Sequence, residues 1–183
     1  MSAMTNPLRD PHVAVRGLQA SGVSGAVGLV FLVGMYAAFA AGARSTGMTL
    51  GWINDVSAIV TMPLALPGML ALHTRIRPRA GRAGDALLGL GVGASTAIVI
   101  LQALLVSGRL PFEQEIGPVT LAYLGLGAWF IATGRIAQDA GILPGGMRLG
   151  AAAAVYAGYP VWAFRLARLL DAPAFGLGEE AAA

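Results

Sequence analysis

The chain contains no cysteine and no lysine. The first absence excludes disulfides, thiol nucleophiles and thiolate metal centres. The second leaves arginine as the whole basic complement, twelve residues against nine acids. Richness in Ala, Gly and Arg without Lys is also what biased codon usage produces, with no functional content. Charge is scarce overall: 11% of residues are charged and 56% hydrophobic, where soluble domains carry about 25% and about 45–50%. A soluble fold of this length needs a charged surface that this chain cannot supply. Lipid is the better-matched solvent.

Other absences narrow the chemistry. There are two histidines, His12 near the amino end and His73 at the edge of an apolar run, so no transmembrane pair is available to ligate a haem. No phosphate-cradling glycine loop, zinc-protease helix or dinucleotide fingerprint occurs. Ser24 and Ser95 have no histidine within their apolar runs to activate them as nucleophiles. Aromatics make up 7% of the chain, and they are not interleaved with a basic stripe, which argues against a nucleic-acid partner. Catalytic residues, a metal site and a cofactor are therefore all absent from the expectation, and the chain is not expected to be an enzyme.

What is present is a succession of long apolar runs separated by short charged links. A helix of about 20 apolar residues crosses a bilayer's hydrocarbon. The expected fold is all-α, a polytopic transmembrane bundle of five spans at 20–43, 53–72, 86–107, 116–134 and 147–165. A cytoplasmic tail (1–19), a single transmembrane domain (20–170) and a short disordered tail (171–183) make up the expected domain organisation. Ala38-Phe39-Ala40 resembles a signal-peptide cleavage site, but the uncharged stretch from Gly17 to Ala43 exceeds the usual signal core of about 7–15 residues. A retained first span is the expectation.

Within that span, Ser21/Gly25, Ser24/Gly28 and Gly34/Ala38/Gly42 recur at four-residue spacing. Small residues so spaced let helices approach closely in lipid. Gly150, Ala154 and Gly158 form a similar ridge in span five, which reaches across if Arg148 and Arg165 extend their heads to the interfaces. Such ridges suit the lipid bilayer first, and then a second copy of the chain or another membrane protein as partner.

Polar residues inside or beside the spans are the candidate site. In span two, Asn54, Ser57 and Thr61 share one helical face, and Pro63 and Pro67 free the carbonyls of Ile59 and Pro63. In span three, Gln102 is an amide deep in an apolar run, on nearly the face of Gly91 and Ser95. Asp55, Glu113 and Glu115 stand at helix mouths, where carboxylates commonly cap amides and favour the dipole. An acid drawn partly out of water also holds a proton more readily. Glu113 and Glu115 are two residues apart and point to different faces of a helix, so they do not form a dyad by themselves. One candidate is thus an outer polar or ion site of Asp55, Asn54, Glu113, Glu115 and Arg109. The other is an intramembrane pocket of Thr61, Pro63, Gln102, Tyr156 and Tyr159.

Orientation follows from the arginines, since cytoplasmic links carry the excess. Arg9, Arg16, Arg75, Arg77, Arg79, Arg82, Arg135 and Arg148 fall on one side of a five-span arrangement. Arg44, Arg109, Arg165 and Arg168 fall on the other. The amino terminus is then cytoplasmic, the carboxyl terminus outside, and Asp55, Glu113 and Glu115 at the outer mouths.

Several strings carry a likeness when taken in order: Leu50–Asp55 (LGWIND), Phe112–Pro118 (FEQEIGP), Gly127-Ala128-Trp129, Ile142–Gly150 (ILPGGMRLG) and Gly158–Phe164 (GYPVWAF). Over about residues 50–168 the chain resembles small multi-span bacterial membrane proteins of a domain-of-unknown-function family, with longer relatives of six or seven spans. The resemblance implies a helical bundle in a bacterial plasma membrane and carries no activity onto these positions. Function is expected to be that of a binding, assembly or sensory component of the membrane. The alternatives are a small proton- or ion-coupled transporter using the outer acids, and a lipid-active membrane enzyme using the same acids.

Overall fold

The computed structural model describes residues 11–142 and 159–171. All regular structure among them is helical: α1 (Pro11–Ala40), α2 (Arg44–Val106), α3 (Phe112–Asp139) and α4 (Tyr159–Asp171). Three of these, α1, α2 and α3, are long and apolar enough to cross a membrane.

α2 is not one rod. At Gly81 the backbone takes φ 53° and ψ −135°, a conformation open to glycine and strained for any residue with a Cβ. Two helical arms, 44–80 and 82–106, meet there and fold back on one another. The Ser95 hydroxyl stands 4.0 Å from the Met69 sulfur. Nearer the turn, one Asp85 oxygen accepts from His73 Nε2 at 3.2 Å and from Arg77 Nε at 3.1 Å. The basic stretch His73–Asp85, read from its charge as a link, is therefore helical on both sides of a one-residue break. Arginine is a good helix former, so charge ends the apolar run without ending the helix.

Pro63, Pro67 and Pro78 lie inside α2, but helical angles are lost only at Gly81. The helix runs on through Pro63 and Pro67. α1 is already helical at Pro11, the first described residue and well before the expected start of span one, and Ala14, Val15 and Leu18 are buried there. α3 likewise starts at Phe112, which puts Pro118 in its second turn rather than its first.

α1 runs antiparallel to the first arm of α2, and the seam between them is built from small residues. Gly17 faces the Leu64 carbonyl, Gly28 faces Ser57 and Asn54, and Gly34 faces Leu50. Ser21 Oγ donates to the Thr61 carbonyl at 2.9 Å, and Ser24 Oγ to the Ser57 carbonyl at 3.1 Å. In lipid such packing and interhelical hydrogen bonds replace the hydrophobic drive. α3 packs on the second arm, with Trp129 against Gly91 and Gly125 against Ala94. α4 packs chiefly on α1, with the Phe164 ring beside Gly22.

The core is apolar, with Leu18, Met69, Ile98 and Trp129 buried, yet large apolar side chains are exposed on the outside as well. Leu121 is 71% exposed and Val30 68% exposed, while Glu115 is 2% exposed. Ser21, Thr61, Ser95, Gln102 and Thr133 are buried as well. Apolar side chains thus cover the outer face, where acyl chains would solvate them, as well as the interior, which also takes in a few polar groups. Most of the expected fifth span falls on residues 147–158, outside the described residues; α4 takes up its end and continues to Asp171.

Candidate polar site

The chain reversals gather one set of polar residues at the end of the bundle away from Gly81. Asp55 lies about three turns into α2, and Asn54 Nδ2 donates to Asp55 Oδ1 at 3.2 Å. Glu115 lies in the first turn of α3, and its carboxylate interacts electrostatically with that of Asp55. Residues sixty apart in sequence are thus brought to the same end of the bundle. The short link 107–111 turns the chain between the second arm and α3: the amides of Arg109 and Leu110 both donate to the Leu104 carbonyl, at 2.9 and 3.2 Å.

Gln102 belongs to the same level. The register that sets Trp129 against Gly91 and Gly125 against Ala94, continued along two antiparallel helices, brings Glu115 opposite the turn of α2 that holds Gln102. Both side chains are buried, Gln102 at 5% and Glu115 at 2% exposure. Gln102 Oε1 and Glu115 Oε1 each lack a hydrogen-bond partner. A buried polar oxygen without a donor costs roughly 1–3 kcal/mol, more when it carries charge. Two such acceptors at one level beside a second carboxylate make a place that a proton or a small cation would relieve.

The remaining residues singled out in the sequence lie elsewhere. Glu113, two positions from Glu115, is exposed, and so is Arg109. Asn54, Ser57 and Thr61 do share a face, and it is turned to α1. The Asn54 amide oxygen and the Ser57 Cβ lie within reach of Gly28, and the Thr61 hydroxyl donates to the Ser57 carbonyl at 2.7 Å. That polar face serves helix packing. Pro63 is exposed, so Thr61, Pro63 and Gln102 do not line one cavity. Tyr156 lies outside the described residues, as does the side chain of Tyr159.

A second polar feature sits at the opposite end, where residue-by-residue reading had seen only a link. A narrow crevice, too tight to admit a water molecule, is lined by Met69, Leu72, His73, Leu88, Trp129 and Thr133. His73 Nε2 faces Asp85, and His73 Nδ1 is buried without a partner. Thr133 Oγ1 donates to the Trp129 carbonyl at 2.6 Å and so turns its polarity back onto its own helix. The spacing of His73 and Asp85 about Pro78-Arg79-Ala80-Gly81 was the available signal, and it becomes readable only once Gly81 is known to reverse the chain.

Comparison with protein-family models, with curated proteins and with solved structures finds no match.

Proposed function

We propose that this chain is an integral membrane protein of at least four crossings in a bacterial plasma membrane, with its amino terminus and its Gly81 turn cytoplasmic. The Phe164 ring beside Gly22 sets the end of the expected fifth span near the cytoplasmic end of α1, which an outer carboxyl terminus does not fit. The protein acts as a non-enzymatic binding or sensory component, and the group it binds is a proton or a small cation held at the outer end of the bundle. The observation that carries this reading is Glu115. It is an acid 2% exposed, with Oε1 lacking a donor, coupled electrostatically to Asp55 and level with the buried, unpartnered Gln102 oxygen. Charged groups within membrane helices are costly and face a bundle interior when they occur. α1, the two arms of α2 and α3 supply these four crossings.

The test is infrared difference spectroscopy of the full chain in liposomes, following carboxyl bands as pH or sodium concentration changes. The reading expects a band that Glu115→Gln and Asp55→Asn each remove and that exposed Glu113→Gln leaves in place. A wild-type spectrum with no carboxyl response to either variable contradicts it.

A second reading, a proton- or ion-coupled carrier, rests on the same site. Carriage adds movement of the bound charge across the bilayer, so it requires flux in sealed vesicles that Glu115→Gln abolishes. Binding without flux keeps the sensory reading and removes the carrier.

A further inference from the structure

The end of the bundle opposite Asp55 and Glu115 carries a basic excess, with Asp85 and Asp139 among its acids. Arg75, Arg77, Arg79 and Arg82 surround the Gly81 turn. Thr133 of α3 lines the same crevice as Gly84 beside that turn, which brings exposed Arg135 to this end as well. Asp85 is the one acid of the turn, and its Oδ1 is already engaged by Arg77 and His73. Arg79 and Arg82 flank Gly81, are exposed, and have no carboxylate partner among the described residues.

We propose that this tip is a binding site for the headgroup of an anionic phospholipid, with Arg79 and Arg82 as the groups that hold the phosphate. Guanidinium forks match phosphate oxygens bidentately, which favours arginine at such a place. The uncharged runs 56–72 and 86–108 of the two arms are each about long enough to cross a bilayer, which places their junction at the headgroup side. There the phosphate of a lipid is present at high local concentration, and a soluble anion is not. Asp85 Oδ1 is taken up by His73 and Arg77 across the turn, which leaves Arg79 and Arg82 exposed and unengaged by it. Arginines beside an anionic leaflet contribute about 1 kcal/mol each, or about fivefold in binding. The inference depends on bilayer placement and not on the Asp55–Glu115 site, so either can fail without the other.

The full chain in a neutral detergent, offered phosphatidylglycerol and phosphatidylcholine in equal amounts, tests it by native mass spectrometry. The expected result is retention of phosphatidylglycerol over phosphatidylcholine by about tenfold or more. Arg79→Gln with Arg82→Gln should erase most of that preference, and Arg79→Lys with Arg82→Lys should keep most of it. Arg109→Gln, at the other end of the bundle, should leave it unchanged. Equal retention of the two lipids by the wild type overturns the proposal. So does a preference that survives the double glutamine variant, or one that millimolar inorganic phosphate displaces, which would mark a soluble anion as the ligand. All three arginines are exposed, and unchanged thermal stability of the variants keeps the comparison about binding.

Discussion

Glu113 and Glu115 differ by two positions and end in opposite environments, one in contact with the surroundings and the other inside the bundle. Their separation onto different faces follows from helix geometry and was legible in the sequence. Which of the two turned inward was not, because that depends on where the second arm of α2 lies. The same division holds for Asn54, Ser57 and Thr61, whose common face is periodicity but whose partner, α1, is tertiary. At this scale the seams give sharp expectations. Gly91 meets the Met69 methyl at 2.6 Å and the Trp129 ring at 2.7 Å at the position of an added Cβ. Gly91→Ala should therefore cost about 1–3 kcal/mol through overpacking, read as lost thermal stability in detergent. Ser21→Ala removes one hydrogen bond to the Thr61 carbonyl and should cost less, about 0.6 kcal/mol. A Ser21→Ala variant less stable than Gly91→Ala would show that the serine, and not close glycine packing, holds the bundle.

The helical hairpin of α2 is the element on which both polar ends depend. Its turn consists of one glycine, and the salt-bridged side chains beside it are largely exposed, Arg77 at 64% and Asp85 at 48%. Exposed ion pairs contribute little, about 0–1 kcal/mol. A positive φ forced on a β-branched residue costs roughly 1–3 kcal/mol. Gly81→Val should accordingly disturb the fold more than Asp85→Ala, and limited proteolysis at the turn would report the difference. The reverse order would mean that the Asp85 clip, not the backbone of Gly81, sets the reversal. The apolar runs on either side of this turn were plain in the sequence. The turn itself was hidden, since a string of arginines with one proline looks like a link and behaves as two helix ends.

For the molecule as a whole, alternation of apolar run and charged link announced a helical membrane bundle before any coordinate was known. The inward placement of Glu115, Gln102 and Ser95, with Leu121 and Val30 outside, is the three-dimensional counterpart of that composition. Composition could not pair Asp55 with Glu115, because their approach needs three successive antiparallel helices. The account requires the arginine-rich Gly81 turn and the short link before α3 to lie on opposite faces of a membrane. The natural chain has no cysteine, so single cysteines at Ala83 and at Ser107, both exposed, can be probed with a membrane-impermeant maleimide on intact cells. The account predicts labelling of Ser107→Cys from outside, and of Ala83→Cys only after the cells are permeabilised. Labelling of both from the same side would contradict it.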